Sequence, residues 1–264
     1  MLAAWLSYLV AGVIAGFMAG LFGIGGGLII VPILMAVFSW QGMSADVAIH
    51  VAIGTSLMTI TVTSLSSMRA HHRHGTTQWA LVRRLTPGLI LGSLLGAIIA
   101  SLMSSEVLQR VFAIFALLMA IRMWLPSPHT LSSKLVHFPF ITGFSGIAGL
   151  ISAMVGIGGG TLVVPYLVMA GKSMKQAVGT AAACGFPIAV SGVMGFILMG
   201  SYIHHVEGDW QTGFVHWQAF IGIVATSVVM APIGAKLASQ LSHAKLSRLF
   251  SLLLMLIGLA LLIR

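Results

Sequence analysis

Gly23-Ile24-Gly25-Gly26-Gly27 lies inside an apolar run, and Gly156-Ile157-Gly158-Gly159-Gly160 repeats it in the second half of the chain. Each is followed, five residues after its last glycine, by a proline, Pro32 and Pro165. Four glycines in five residues cannot hold a regular helix, since each costs about 1 kcal/mol relative to alanine. In lipid, a broken helix leaves N–H and C=O groups without partners at several kcal/mol each. Irregular backbone therefore persists at membrane depth only where protein or a water-filled cavity surrounds it. The same break at corresponding places in two halves points to a transporter's binding site.

The surroundings of the two loops fit that reading. Of 264 residues, 58% are hydrophobic and 6% charged, against about a quarter charged in a soluble domain. This predicts an all-α polytopic membrane protein, with the first apolar run retained as structure rather than removed as a leader. The thirteen basic residues, scattered between apolar segments, read as topology signals and not as a nucleic-acid surface. Cys184 stands alone, so no internal disulfide forms; it reads as a packed thiol.

The halves align along nearly their whole length. At an offset of 133, Gly16 falls on Gly149 and Pro32 on Pro165; at 125, Gly54-Thr55 falls on Gly179-Thr180; at 138, Trp79 falls on Trp217 and Gly96-Ala97 on Gly234-Ala235. A duplicated unit follows, 1–130 and 131–264, within one integral membrane domain. Long apolar segments at 46–68, 78–102, 106–125, 175–200, 213–240 and 243–263 can each cross a bilayer. The segments 5–38 and 137–170 are either single long helices, which leaves the copies parallel, or hairpins broken at the glycines, which inverts them.

Positive charge decides between these. With single helices the basic residues divide seven to six; with hairpins eleven lie on one side and only Arg110 and Arg264 on the other. The positive-inside rule selects the hairpins. The expected architecture is two inverted-topology repeats, each a glycine-broken, re-entrant hairpin plus three spanning helices, with both termini outside. The pieces after the glycines, 28–38 and 161–170, are too short to cross, so the two tips meet near the midplane.

Bare glycine backbone lets a ligand approach main-chain N–H groups, and a helix starting there turns its positive dipole end into the loop. Two such ends facing each other make an anion site without fixed charge. The candidate ligand-binding residues are Gly23, Gly25, Gly26, Gly27, Gly156, Gly158, Gly159 and Gly160, with hydroxyls from Thr55, Ser56, Thr161 and Thr180. The glycines of Gly12-Gly16-Gly20 and Gly88-Gly92-Gly96, and Gly192, are read as close helix packing instead. His50 is the candidate proton-coupling group. Arg110 and Arg248 are read as anchors. His71, His72 and His74 lack a neighbouring cysteine or acid, and neither they nor His204 and His205 are read as a metal site. No cofactor is expected, and no catalytic motif is present.

The paired G-x-G-G-G loops with their prolines, Gly54-Thr55-Ser56, and the stretch His74-Gly75…Trp79…Pro87-Gly88…Gly92…Gly96-Ala97 together resemble the sulfite exporter TauE/SafE family of membrane permeases. The resemblance implies a non-enzymatic transporter of the bacterial cytoplasmic membrane that moves sulfite, sulfonates such as sulfoacetate, or related sulfur anions, driven by H⁺ or Na⁺. Partners are then a small anionic substrate and the lipid bilayer, with a homo-oligomer open. Two other classes stand beside it: a cation-coupled carrier of another small anion or cation, since unwound carbonyls coordinate Na⁺, and a non-transporting membrane subunit.

Overall fold

The computed structural model describes residues 2–22, 26–124, 140–202, 207–208, 210–238 and 243–263. Ten helices are assigned among them: α1 (Leu2–Phe22), α2 (Gly27–Trp40), α3 (Ala45–Arg73), α4 (Trp79–Leu102), α5 (Ser105–Trp124), α6 (Phe140–Val155), α7 (Gly160–Met169), α8 (Met174–Tyr202), α9 (Trp217–Ala238) and α10 (His243–Ile263). Six of them, α1, α3, α4, α5, α8 and α9, contain apolar stretches of at least 18 residues, long enough to span a bilayer. The chain is a polytopic, helical membrane protein. The 10 residues of α7 rise about 15 Å, half of a hydrocarbon core.

One expected boundary is displaced. The segment at 213–216, read as the start of a helix, is instead a turn and the last strand of a small antiparallel sheet, β1 (Glu207–Gly208), β2 (Gln211–Thr212) and β3 (Val215–His216). Gly213 is left-handed at φ 53°, and a Cβ there would lie 2.4 Å from the Ile197 carbonyl oxygen. That turn folds the segment back on the end of α8 before α9 can begin.

Small residues set the helix directions. Along α1 and α9, Tyr8 meets Gly222, Gly12 meets Thr226 and Phe17 meets Gly234, so the two run parallel. Along α4 and α6, Gly88 meets Ser145, Gly92 meets Gly146 and Gly96 meets Leu150, again parallel. These contacts correspond under the sequence offsets: Gly234 lies 2.1 Å, at its missing Cβ, from the Phe17 oxygen, and Gly96 lies 2.3 Å from that of Leu150. In a membrane, where lipid is as apolar as leucine, such close backbone approach drives helix association. The hydroxyls of Ser93 and Ser191 bond where α4 runs parallel to α8. Helices α3 and α8 are antiparallel at the centre, with Gly54 on Phe196, Leu57 on Gly192 and Ser64 on Gly185. Helices α5 and α10 are also antiparallel, joined by Gln109 to the Leu261 carbonyl at 2.8 Å and Ser247 to that of Met123 at 3.0 Å.

The helices flanking each glycine loop fold back on each other. The Tyr8 hydroxyl of α1 donates to Gln41, just past α2, at 2.6 Å, while Phe144 of α6 stacks on Tyr166 of α7 with centroids 3.7 Å apart. Cys184 is fully buried, as a packed thiol would be. The 126–136 linker, His204, His205 and Arg264 lie outside the described residues.

Candidate functional site

Helix α6 stops because Gly156 takes a left-handed conformation, φ 71°. Its N–H bonds the Ala153 carbonyl at 3.2 Å and that of Ile157 reaches back to Ser152 at 2.9 Å, a glycine-terminated helix end. The chain then crosses Ile157, Gly158 and Gly159 outside any helix before α7 begins. Gly156 sits on the middle of α3, its carbonyl accepting the Ser56 hydroxyl at 2.9 Å.

The first glycine run comes to the same place. A Cβ on Gly27 would lie 2.3 Å from the Gly156 oxygen and 2.8 Å from the Ile157 Cα. Only glycine allows main chain to touch main chain there. Gly26, left-handed at φ 73°, precedes α2, and its carbonyl accepts the N–H groups of Ile29 and Ile30. Gly23 and Gly25 lie outside the described residues.

Helix α2 begins at this contact and α7 four residues beyond Gly156, and neither has a side-chain cap. The first amides of a helix have no intrahelical acceptor, so those at Gly27 and Leu28, and at Gly160 and Thr161, add to the two positive dipole ends. Gly159 is wedged against α8, where a Cβ would come 2.8 Å from the Ala181 oxygen; at Gly158 it would meet only an Ile60 methyl, at 3.3 Å. Among the described residues, the Thr161 and Ser152 hydroxyls on either side of the break are buried and have no hydrogen-bond partner. A buried hydroxyl left unpaired costs about 1–3 kcal/mol, which an acceptor on a ligand at Thr161 would remove.

Two of the expected hydroxyls are engaged elsewhere. Thr55 Oγ1 accepts the His216 N–H at 3.0 Å, and Thr180 Oγ1 accepts the Gln78 N–H at 3.1 Å. The structure thus brings together Gly26, Gly27, Ser56, Gly156, Gly158, Gly159, Gly160 and Thr161, and ties Thr55 and Thr180 to the segments that lead into α9 and α4.

His50 lies away from the tips. Its ring stacks on Phe214 at 5.0 Å, Nε2 is 3.1 Å from the carbonyls of Ala100 and Met103, and Nδ1 is 3.3 Å from Ser105 Oγ. Two carbonyls can accept only from a protonated Nε2, so the imidazole ties the end of α4 to the start of α5. Three positions carried no chemical motif. Ser152 gave no signal in its residue type; His216 and Gln78 could have been paired through the 138-residue offset, which superposes them. His216 is buried between Tyr8 and Phe38, each ring 5.5 Å away, and its Nδ1 accepts the Ala219 N–H at 3.3 Å. Burial outweighs its local hydrogen bonding and holds the imidazole below its usual pKa. Of the histidines at the end of α3, His71 bonds Thr76 and His72 bonds the Trp79 indole. Arg110 pairs with Glu106 on the exposed face of α5. A groove of about 420 Å³ between α1 and α2 is lined by Leu6, Val10, Ile14 and Ile33 and is almost wholly apolar, so it offers an anion almost no hydrogen-bond donor.

With this geometry in place, a model of the sulfite exporter TauE/SafE family matches residues 8–261. A "probable membrane transporter protein" of Haemophilus influenzae is 33% identical over 95% of both chains. Proteins of the same description are 28% identical in Methanocaldococcus jannaschii, over 97% of this chain and 94% of that one, and in Bacillus subtilis, over 94% of each. No solved structure matches the chain.

Proposed function

The chain belongs to the sulfite exporter TauE/SafE family and is a membrane transporter of that type; from this we propose that it carries a small sulfur-containing anion, of the sulfite or sulfonate class, bound between the two glycine tips. The carrying observation is the junction of Gly27 with Gly156, where two uncapped helix N-termini begin beside the unpartnered Thr161 hydroxyl. The amides at Gly27, Gly158, Gly159 and Gly160, with the Thr161 hydroxyl, would donate to the anion's oxygens, while Ser56 holds the Gly156 carbonyl beside them. A site of dipoles and hydroxyls without a fixed cation binds an anion loosely enough to release it, as transport requires. A cation fits less well, because the Gly156 carbonyl already accepts Ser56.

The helix directions support an inverted pair of repeats, 1–130 and 131–264. Helices α1, α3 and α9 begin at the end where α2, α4 and α8 finish, tied there by Tyr8–Gln41, His50–Ala100, Thr55–His216 and the Phe214-to-Phe196 backbone bond. Helix α6 runs parallel to α4, so it opposes α1, its counterpart under the 133-residue offset. In this reading each glycine hairpin is re-entrant, the basic-rich end is cytoplasmic in a bacterial inner membrane, both termini are outside, and H⁺ or Na⁺ supplies the drive.

Counterflow in proteoliposomes across sulfite, thiosulfate, sulfoacetate, sulfate and chloride tests the proposal, with selective exchange of one or two sulfur anions expected. Thr161→Val, which keeps volume while removing a donor, should lower exchange about tenfold, the scale of one lost hydrogen bond to a charged group, and Gly158→Val, whose Cβ meets only the Ile60 methyl, should lower it by blocking the anion's approach to the main chain. Unchanged exchange in both variants, folded as the parent, would remove the tips from the site.

A further inference from the structure

Two seams with matching chemistry border the glycine tips, one at each end of the site. In the first, Gly54 lies against the backbone before α9, a Cβ there falling 2.2 Å from the Phe214 oxygen, and the next residue, Thr55, accepts the His216 N–H at 3.0 Å. In the second, Gly179 lies against the backbone before α4, a Cβ there falling 2.5 Å from Thr76 Oγ1 and 2.9 Å from the Thr76 oxygen, and Thr180 accepts the Gln78 N–H at 3.1 Å. The offsets of 125 and 138 map one seam onto the other residue for residue.

Their placement gives them a role that packing alone does not require. Each seam joins a spanning helix of one half to the leader of a spanning helix in the other half. Because α3 and α8 are antiparallel, the seams sit toward opposite ends of the molecule. Each also adjoins a tip: Ser56, after Thr55, holds the Gly156 carbonyl, and Ala181, after Thr180, lies against Gly159. Both are closed here, and Gly156, Gly158, Gly159, Thr55, Ser56 and Thr180 are all buried.

We propose that the Gly54–Thr55 and Gly179–Thr180 seams are the two gates of the transport cycle, opening alternately to admit the anion from opposite sides. This rests on the transport reading above. It makes Thr55 and Thr180 positioning residues that hold the gates shut. A glycine whose missing side chain admits a backbone, followed by a hydroxyl that accepts one N–H, makes a contact that costs little to part, since the parted amide and hydroxyl can hydrogen-bond to water.

The test uses the full chain in vesicles, with Cys184→Ala and a reporter, Thr161→Cys, labelled by a membrane-impermeant maleimide from either side. Gly54→Ala should raise labelling about tenfold from the side where α3 begins, and Gly179→Ala by a similar factor from the opposite side, as expected for a modest shift between two states. Thr55→Val and Thr180→Val keep side-chain volume and lose the accepted bond; they should give the same opposite bias, more weakly, and serve where the alanine variants fail to fold. A purely structural role would change stability without changing sidedness. Equal labelling from both sides in all folded variants would overturn the gates. The readout is independent of cargo, so gates that respond in a protein inactive toward every sulfur anion would refute the substrate and keep the seams.

Discussion

At the scale of single residues, the polar atoms that matter most are those whose partners lie far away in sequence. Thr55 and Thr180 stand in equivalent Gly-Thr pairs, and their hydroxyls were legible as a matched set. Their use was not, because it depends on backbone 161 and 102 residues away. His216 illustrates the same limit. Nothing in its local sequence separates it from His204 or His205, yet folding buries it between Tyr8 and Phe38 and uses its Nδ1 to accept the Ala219 amide in the first turn of α9. A histidine whose folded pKa lies below its unfolded value of about 6.5 adds no penalty above that pH. As pH falls below it, the unfolded chain takes up the proton first and stability declines until the folded pKa is reached. Thermal unfolding in detergent should therefore show a midpoint that drops as pH falls below about 6.5, and His216→Gln should flatten that part of the profile.

At the scale of elements, helix length and glycine spacing were enough. The six long apolar segments became α3, α4, α5, α8, α9 and α10 within a few residues, because roughly twenty apolar residues between polar turns have no other way to satisfy their backbone in lipid. The one missed boundary, 213–216, follows from a fold-back onto Ile197 that only the assembled structure supplies. Small-residue packing was also legible: Gly12, Gly16, Gly88, Gly92 and Gly96 all face backbone on a neighbouring helix at distances that leave no space for a Cβ. Spacing could not separate these from glycines with open space. On α6, Gly149 would clash with the Leu89 oxygen at 2.4 Å, whereas a Cβ on Gly143 meets nothing within 4 Å. Gly96→Leu should accordingly separate α4 from α6 and abolish the folded, monodisperse protein. Gly143→Ala should raise stability by about 0.5–1 kcal/mol through helix propensity alone. Size-exclusion and thermal melts of the two variants check both, and a tolerated Gly96→Leu would show that the α4–α6 seam is not close-packed.

At the scale of the whole molecule, the inverted arrangement proposed above has two independent supports, charge and contact. Eleven basic residues fall on one side only if each glycine run is a turning point; the parallel pairs α1–α9 and α4–α6, with α3 starting beside the start of α9 and the end of α4, have α1 and its counterpart α6 pointing in opposite directions. Charge counts speak to the membrane and contacts speak to packing, so neither implies the other. Their agreement makes sidedness measurable at two positions. His74, after α3, and Lys175, in the first turn of α8, are both exposed, and they share a face if the glycine runs turn back but lie on opposite faces if those runs cross. In a Cys184→Ala background, His74→Cys and Lys175→Cys should both resist an impermeant thiol reagent on intact cells and both react after permeabilisation, while Ala45→Cys, at the start of α3, should react at once. Opposite behaviour of the cysteines at 74 and 175 would mean the copies run parallel, and the two helix N-termini could then not approach the anion from opposing leaflets.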